Sequence, residues 1–375
     1  MEDRCTLLSA GFLLNKAETQ FGRVNRLDNY RYNFHNLFSL TTNINYFEGL
    51  LHAFRSTGHS DTTATIQFVL DNNLRVSLRE KPTFNVMLGY DAETDSVEFS
   101  YPWIRPVCAR LTFGREGFQF VFNKNYVRFS NIVSEGWEVI DVFRSLLMVS
   151  LIRSGKYMAH GAAVKLGDEG ILIPSFANTG KTTAAWMLCR RGAKYLTDEL
   201  AVLDSDGNCL SLPCSSLVTS GLAKSLELNL TQKQKLSLRI GRLKSKLLSA
   251  RFASGGVRLY PQNFFDVCDD VRITKVAFLQ NGIDDFRRLS VDEAIGRFMA
   301  IRNFQLGWDS SPYLIAESFF NSRFDLESLR KTERAFVSSF LSKLEEIYLV
   351  SSSNGSHYKA IEDQKEEISL KPVPR

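Results

Sequence analysis

The feature that most constrains how this chain can fold is a strand, short loop and helix at residues 171–183. The stretch reads Ile-Leu-Ile-Pro-Ser-Phe-Ala-Asn-Thr-Gly-Lys-Thr-Thr, and its end matches the phosphate-loop pattern G-x-x-x-x-G-K-[ST], with Ser175 in place of the first glycine. In such a loop, backbone N–H groups and the helix dipole converge on one anion, and a lysine adds a full positive charge. The predicted phosphate-binding residues are Ser175, Asn178, Thr179, Gly180, Lys181, Thr182 and Thr183.

Composition narrows the class of protein. The chain has 375 residues, 44% of them hydrophobic, which favours a water-soluble protein of two domains. Its six cysteines lack metal-ligand spacing, and its first residues lack the features of a signal peptide. No stretch reaches the roughly 18–20 apolar residues of a membrane helix. We therefore predict a cytoplasmic protein with no membrane span, and its net charge of +5 does not by itself indicate a nucleic-acid partner.

Sequence patterns predict an α+β or α/β protein with three parts. Residues 1–135 form a β-rich N-terminal domain of unknown role, in which the many aromatic residues fill the core. Residues 136–350 form the second domain, and the polar tail at 351–375 is predicted to be disordered. The strands predicted in the first domain are at 63–70, 84–90, 96–101 and 117–122.

In the second domain, apolar residues predict a buried helix at 139–153, ended by Gly155. Two short apolar stretches around a glycine-rich turn then predict a β-hairpin whose second strand leads into the phosphate loop. The basic, amphipathic stretch at 224–251 is typical of a solvated helical face, and the alternative is a docking surface for an acidic partner. The other predicted elements are hairpin strands at 158–166 and 171–174, a helix that continues through Cys189, strands at 195–203 and 272–281, and a terminal helix at 326–348.

Chemistry in this domain begins with the loop, where Lys181 would reach the outer phosphates and the Thr182 hydroxyl would ligate Mg²⁺. Asp198 and Glu199 are two adjacent acids in an otherwise apolar strand, and such acids are costly to bury without a cation or a donor. A loop–helix–strand return brings Asp198 back beside the loop, where it can hold Mg²⁺ or accept a proton from an attacking hydroxyl. His160, at the start of the hairpin, is placed to point at the phosphates.

Together, His160-Gly161, the hairpin, residues 175–182 and the Tyr-Leu-Thr-Asp-Glu at 195–199 resemble one family. This is the C-terminal catalytic domain of HPr kinase/phosphorylase and its serine-kinase relatives, which is related in fold to PEP carboxykinase. A hairpin directly before the phosphate loop separates this group from ordinary P-loop ATPases. The resemblance therefore implies an HPr-kinase-like P-loop kinase fold for residues 136–350.

The resemblance also implies a role for each matching residue. Lys181 would bind phosphates, Thr182 and Glu199 would hold Mg²⁺, and Asp198 would act as the base toward a hydroxyl. His160 would contact the transferred phosphate, and the candidate for a later active-site arginine is Arg258. By the same resemblance the protein would be a homo-oligomer.

The sequence departs from the family at Ser175 and Asn178, where the family has glycines, and at Glu199, where it usually has a second aspartate. The expected function is therefore an ATP- and Mg²⁺-dependent kinase. Its acceptor would be a hydroxyl, expected to be a serine, in a peptide, a protein or a small molecule rather than necessarily HPr. A catalytically weak ATP-binding regulatory protein and a hydrolytic ATPase stay open as alternatives.

Overall fold

The computed structural model describes residues 30–44, 47, 51–56, 62, 64–103, 105–114, 117–133, 139–247, 256–344, 346–353 and 357–362. The chain divides into two compact units, one of Met1–Gly155 with Leu306–Arg334 and the other of Lys156–Gln305 with Ala335–Arg375. Both contain helices and mixed sheets, so the predicted mixture of α and β structure is confirmed. Among the described residues, no helix is long and apolar enough to cross a membrane.

The elements follow in chain order. The strands are β1 Tyr30–Phe34, β2 Phe38–Thr42, β3 Ala64–Leu70, β4 Leu88–Asp91, β5 Ser96–Tyr101, β6 Val107–Phe113, β7 Gly117–Phe122, β8 Tyr157–Leu166, β9 Glu169–Pro174, β10 Lys194–Thr197, β11 Leu200–Leu203, β12 Asn208–Leu210, β13 Ser216–Thr219, β14 Gly256–Leu259, β15 Asp270–Asn281, β16 Asp285–Arg288 and β17 Glu346–Ser352. The α-helices are α1 Lys124–Val133, α2 Val139–Arg153, α3 Lys181–Arg190, α4 Ser220–Ser225, α5 Gln232–Leu247, α6 Val291–Gln305, α7 Pro312–Phe320 and α8 Leu326–Ser342, and residues 357–362 form a further helical segment.

The described part of the first unit is built on a seven-stranded sheet of order β1-β2-β3-β7-β6-β5-β4, in which the β2–β3 and β3–β7 pairs are parallel and the other described pairs are antiparallel. Alternate residues of β2 and β3 are buried, whereas the first four residues of β5 are all buried. Phe143 of α2 packs against Phe38, Phe47 and Phe68, whose ring centroids lie 4.9–6.3 Å away. The predicted boundary after residue 135 therefore differs from the observed division, because aromatic packing joins α2 to the first unit.

The second unit contains an eight-stranded mixed sheet. The predicted hairpin is present, since β8 and β9 pair antiparallel with Leu166 opposite Glu169. On its other edge β9 pairs parallel with β15, and β15 pairs parallel with β17. Helix α3 packs on the hairpin, with Ala184, Trp186 and Leu188 in a buried cluster that includes residues of β8 and β9. This packing fixes the loop that joins β9 to α3.

Several elements differ from their sequence predictions. The strand predicted at 84–90 begins only at Leu88, because the Asn85 side chain accepts hydrogen bonds from the N–H groups of Met87 and Leu88 and forms a turn. The helix predicted at 326–348 ends at Ser342. Glu346–Ser352 is a strand, because its β-branched and aromatic residues pair with β15.

The predicted disordered tail is partly wrong. Residues 351 and 352 belong to β17, and residues 357–362 are helical, with Ile361 in the buried cluster of the second unit. Residues 354–356 and 363–375 lie outside the described residues. In the basic stretch, Lys233, Lys235 and Arg239 of α5 are exposed together with Leu236 and Ile240, which suits either a solvated face or a docking surface. Residues 248–251 lie outside the described residues.

Candidate phosphate-binding site

The phosphate loop follows β9 directly and ends where α3 begins at Lys181. Within it, positive φ falls on Asn178 (65°) and on Gly180 (96°), but not on Ser175. Asparagine is among the few non-glycine residues that tolerate this conformation. Ser175 is fully buried and needs no glycine-like backbone. The two departures from the motif are therefore compatible with the shape of the loop.

The N-terminus of α3 presents donors to the loop. Its first main-chain hydrogen bond runs from the Ala184 N–H to the Gly180 carbonyl at 2.8 Å. The N–H groups of residues 181–183 therefore precede the intrahelical ladder, and the helix dipole adds partial positive charge there. Inside the loop, the Thr179 hydroxyl donates to the Phe176 carbonyl at 2.8 Å and holds the turn. The N–H groups of residues 181–183 and the positive end of the helix dipole are the features of an anion-binding site.

Lys181 is 9% exposed and lies at the first position of α3. Burial lowers the pKa of its ammonium, and the charges of Glu199 and Asp198 oppose that shift. A buried ammonium beside helix-terminal donors gains most from an anionic ligand, because little water screens the attraction.

Asp198 and Glu199 lie in a bend between β10 and β11, not within one regular strand. The Thr197 hydroxyl braces this bend by donating to the Leu200 carbonyl at 3.0 Å. Both flanking strands pair with β8, and the Gly161 N–H donates to the Glu199 carbonyl at 3.1 Å. The single strand predicted at 195–203 is wrong in this detail, because the bend releases the two acids from strict alternation.

The Asp198 carboxylate is 4% exposed and lies within reach of the Thr182 hydroxyl at the end of the loop. Burial raises its pKa, and contacts with Ser216, Tyr195 and Thr182 oppose this while the Glu199 charge adds to it. The Ser216 and Tyr195 hydroxyls approach the carboxylate, but neither makes a hydrogen bond of regular geometry with any described residue. Sequence reasoning missed Ser216, which has no motif around it.

The structure also locates the other two catalytic candidates. His160 of β8 is half-buried and opposite Leu200, and alternation places it on the same face as Ala162, which packs in the cluster with α3. Arg258 of β14 is exposed, and its Nη1 donates to the carbonyl and hydroxyl of Ser215 at 3.3 and 3.4 Å. Arg258 therefore contacts the residue that directly precedes Ser216 in the sequence.

Oxygen atoms of Thr182, Asp198 and Glu199 are the donors that a magnesium ion prefers. Among the described residues, no group of three or more His, Cys, Asp or Glu side chains could hold a metal alone. Mg²⁺ commonly binds through one or two carboxylates together with substrate phosphates and water. The residues present thus fit Mg²⁺ carried by a nucleotide, and do not form a closed metal site.

In comparisons with known proteins, no protein-family model and no curated protein matches this chain. The interpretation of the site depends on its own geometry. That geometry brings Lys181, Thr182 and Asp198 together, with the Glu199 charge acting on both Lys181 and Asp198.

Proposed function

We propose that this protein is an ATP- and Mg²⁺-dependent kinase that transfers phosphate to a hydroxyl, with a serine in a peptide, a protein or a small molecule as the acceptor class. The observation that carries the proposal is the buried Asp198 carboxylate beside the Thr182 hydroxyl, at the end of the loop that holds Lys181. The hairpin that precedes the loop supports an HPr-kinase-like arrangement.

Binding is assigned to the loop and to Lys181. The N–H groups at the start of α3 and the Lys181 ammonium neutralise phosphate charge, which is the main requirement of phosphoryl transfer. When bound, Mg²⁺ would supply further neutralisation of the phosphates, with Thr182 and Glu199 as its protein ligands. His160 is assigned to the transferred phosphate, and Arg258 is the candidate for a further active-site arginine.

Asp198 is assigned as the general base. The acceptor hydroxyl oxygen forms a bond to the γ-phosphorus as the bond to the ADP oxygen breaks, and the hydroxyl proton passes to the Asp198 carboxylate. Burial raises the pKa of this carboxyl, which makes its ionised form a stronger proton acceptor. The role of base requires that Asp198 be ionised when the acceptor arrives. Burial opposes ionisation, and a nearby cation favours it.

The first test is ATP turnover by Asp198→Asn, measured with labelled ATP and mixed hydroxyl acceptors. We expect transfer to fall by about a hundredfold or more, the usual contribution of a positioned base, with ATP affinity retained. Asp168→Asn is the matched control, because Asp168 is exposed in the hairpin turn. Equal transfer by wild type and Asp198→Asn would refute the assigned base.

The second test is nucleotide affinity measured by calorimetry. Lys181→Ala should weaken Mg·ATP binding strongly, because it removes the buried ammonium from the loop. Lys194→Ala, which changes an exposed lysine of β10, should not. Unchanged affinity in Lys181→Ala would refute nucleotide binding at this loop. Tight ATP binding with no phosphorylated product would instead identify a regulatory ATP-binding protein.

A further inference from the structure

His357 is a fully buried histidine that packs against the phosphate loop from the far end of the chain. Its Nδ1 and Cε1 atoms lie 3.5 and 3.8 Å from the point that a Cβ atom on Gly180 would occupy. Its Nε2 lies 2.9 Å from the Gln280 carbonyl oxygen, and since a carbonyl only accepts, Nε2 carries the hydrogen. Nδ1 is buried and has no hydrogen-bond partner among the described residues.

The segment that carries His357 is attached along α3. Ile361 packs in the cluster that contains the buried face of α3. At the other end of that helix, Arg191 forms an ion pair with Glu362, and its guanidinium carbon lies 5.1 Å from the centroid of the Tyr358 ring. Residues 357–362 thus contact both the start and the end of the phosphate-loop helix.

The bond to Gln280 adds a third attachment. Gln280 belongs to β15, the strand that runs parallel to β9 on the side away from β8. One imidazole ring therefore joins the strand beside β9 to the last glycine of the loop. Gly180 has a φ of 96°, and glycine leaves the backbone many other conformations. A buried ring against it restricts those alternatives.

We propose that His357 is a positioning residue of the phosphate loop, and that packing of residues 357–362 is coupled to nucleotide binding. The inference rests on the proposed nucleotide site. A loop already held in its binding conformation loses less conformational entropy when the ligand enters, so His357 increases affinity without contributing a charge. By reciprocity, a bound nucleotide makes residues 357–362 harder to open.

The test combines calorimetry with hydrogen exchange on the full chain. His357→Ala should weaken Mg·ATP binding by about tenfold, in the usual range of coupling between two parts of a protein. His357→Gln keeps an amide donor for the Gln280 carbonyl and should recover part of the loss. Lys359→Gln is the matched control, because Lys359 is an exposed residue of the same segment, and it should bind within about twofold of wild type.

Hydrogen exchange supplies the readout that a merely structural role would not change. In wild type, Mg·ATP should slow exchange in residues 357–362 as well as in the loop. In His357→Ala at saturating nucleotide, only the loop should be protected. If Mg·ATP does not change exchange in residues 357–362 of wild type, or if His357→Ala binds Mg·ATP as tightly as wild type, this inference is overturned while the proposed function stands. If wild type binds no ATP, the proposed function fails first and this inference fails with it.

Discussion

Glu317 should make the first unit lose stability as pH rises through neutrality. It lies on α7 with no exposed surface, and its Oε1 accepts from the Asn321 side chain at 2.7 Å. Its Oε2 has no hydrogen-bond partner among the described residues. Burial raises its pKa from an ordinary 4.5 to about 7, with the Asp95 charge adding to the shift and the Asn321 bond and the Arg153 charge opposing it.

The sign and size follow from that shift. The pKa is raised in the folded state, so the protonated carboxyl stabilises the fold fully below about pH 4.5, and that contribution is lost as pH rises to 7 and beyond. At about 1.4 kcal/mol for each pKa unit, the loss is roughly 3 kcal/mol. Glu317→Gln removes the charge and keeps the shape. It should therefore raise the free energy of unfolding at pH 8 by roughly this amount, and change it little at pH 4.

The assay is urea unfolding at the two pH values, followed by tryptophan fluorescence. A Trp186→Phe background removes the tryptophan of α3, and Trp103 and Trp308 then report on the first unit. Glu93→Gln, in an exposed turn, is the control for loss of one carboxylate. If Glu317→Gln destabilises the protein equally at pH 4 and pH 8, the buried-carboxyl argument is refuted.

Three further predictions concern the second unit. Gly180→Ala should lower the free energy of unfolding by about 1–2 kcal/mol, because φ is 96° at this position. Asn178→Ala should lower it by about 1 kcal/mol, whereas Asn178→Gly should change it little. Urea titrations measure the free energy of unfolding of all three variants. Trp186→Ala should lower the free energy of unfolding by about 3–5 kcal/mol, because the Trp186 side chain is fully buried in the cluster that α3 forms with β8 and β9. A reduced melting temperature would show this loss. Asp198→Asn should raise the stability of the ligand-free protein, by more at high pH because the pKa of Asp198 is raised in the fold, and melting curves from pH 5 to 8 test this.

Local signals made the strand, loop and helix at 171–183 predictable. A strand, loop and helix that follow one another in sequence need no long-range information, and glycine and asparagine indicated where positive φ falls. The hairpin was equally local, because Gly167 begins a two-residue turn between Leu166 and Glu169. The same reasoning placed Asp198 near the loop, since the chain must return along the sheet after α3.

Long-range contacts were not predictable in this way. His357 and Gln280 are 77 residues apart in sequence, and no periodic pattern connects them. Ser216 lies beside Asp198 because β13 begins at Ser216. A single serine without a motif around it does not predict such a contact. The bend at 198–199 was also missed, because its cause is a side-chain bond from Thr197 to the backbone of Leu200.

That bend decides what the two acids can do. In a regular strand, Asp198 and Glu199 would point to opposite faces, and only one could serve the loop. In the bend, the charges of both act on Lys181, whose pKa is lowered by burial, while burial raises the pKa of Asp198. Both shifts disfavour the charged forms, the Lys181 ammonium and the Asp198 carboxylate. A bound Mg·nucleotide would favour these charged forms. Such a site would lower the stability of the empty protein, which is why ligand-free Asp198→Asn is expected to be the more stable protein. The gain in stability with Mg·ATP depends on affinity, so melting curves should show a similar gain in wild type and in Asp198→Asn, and a much smaller gain in Lys181→Ala.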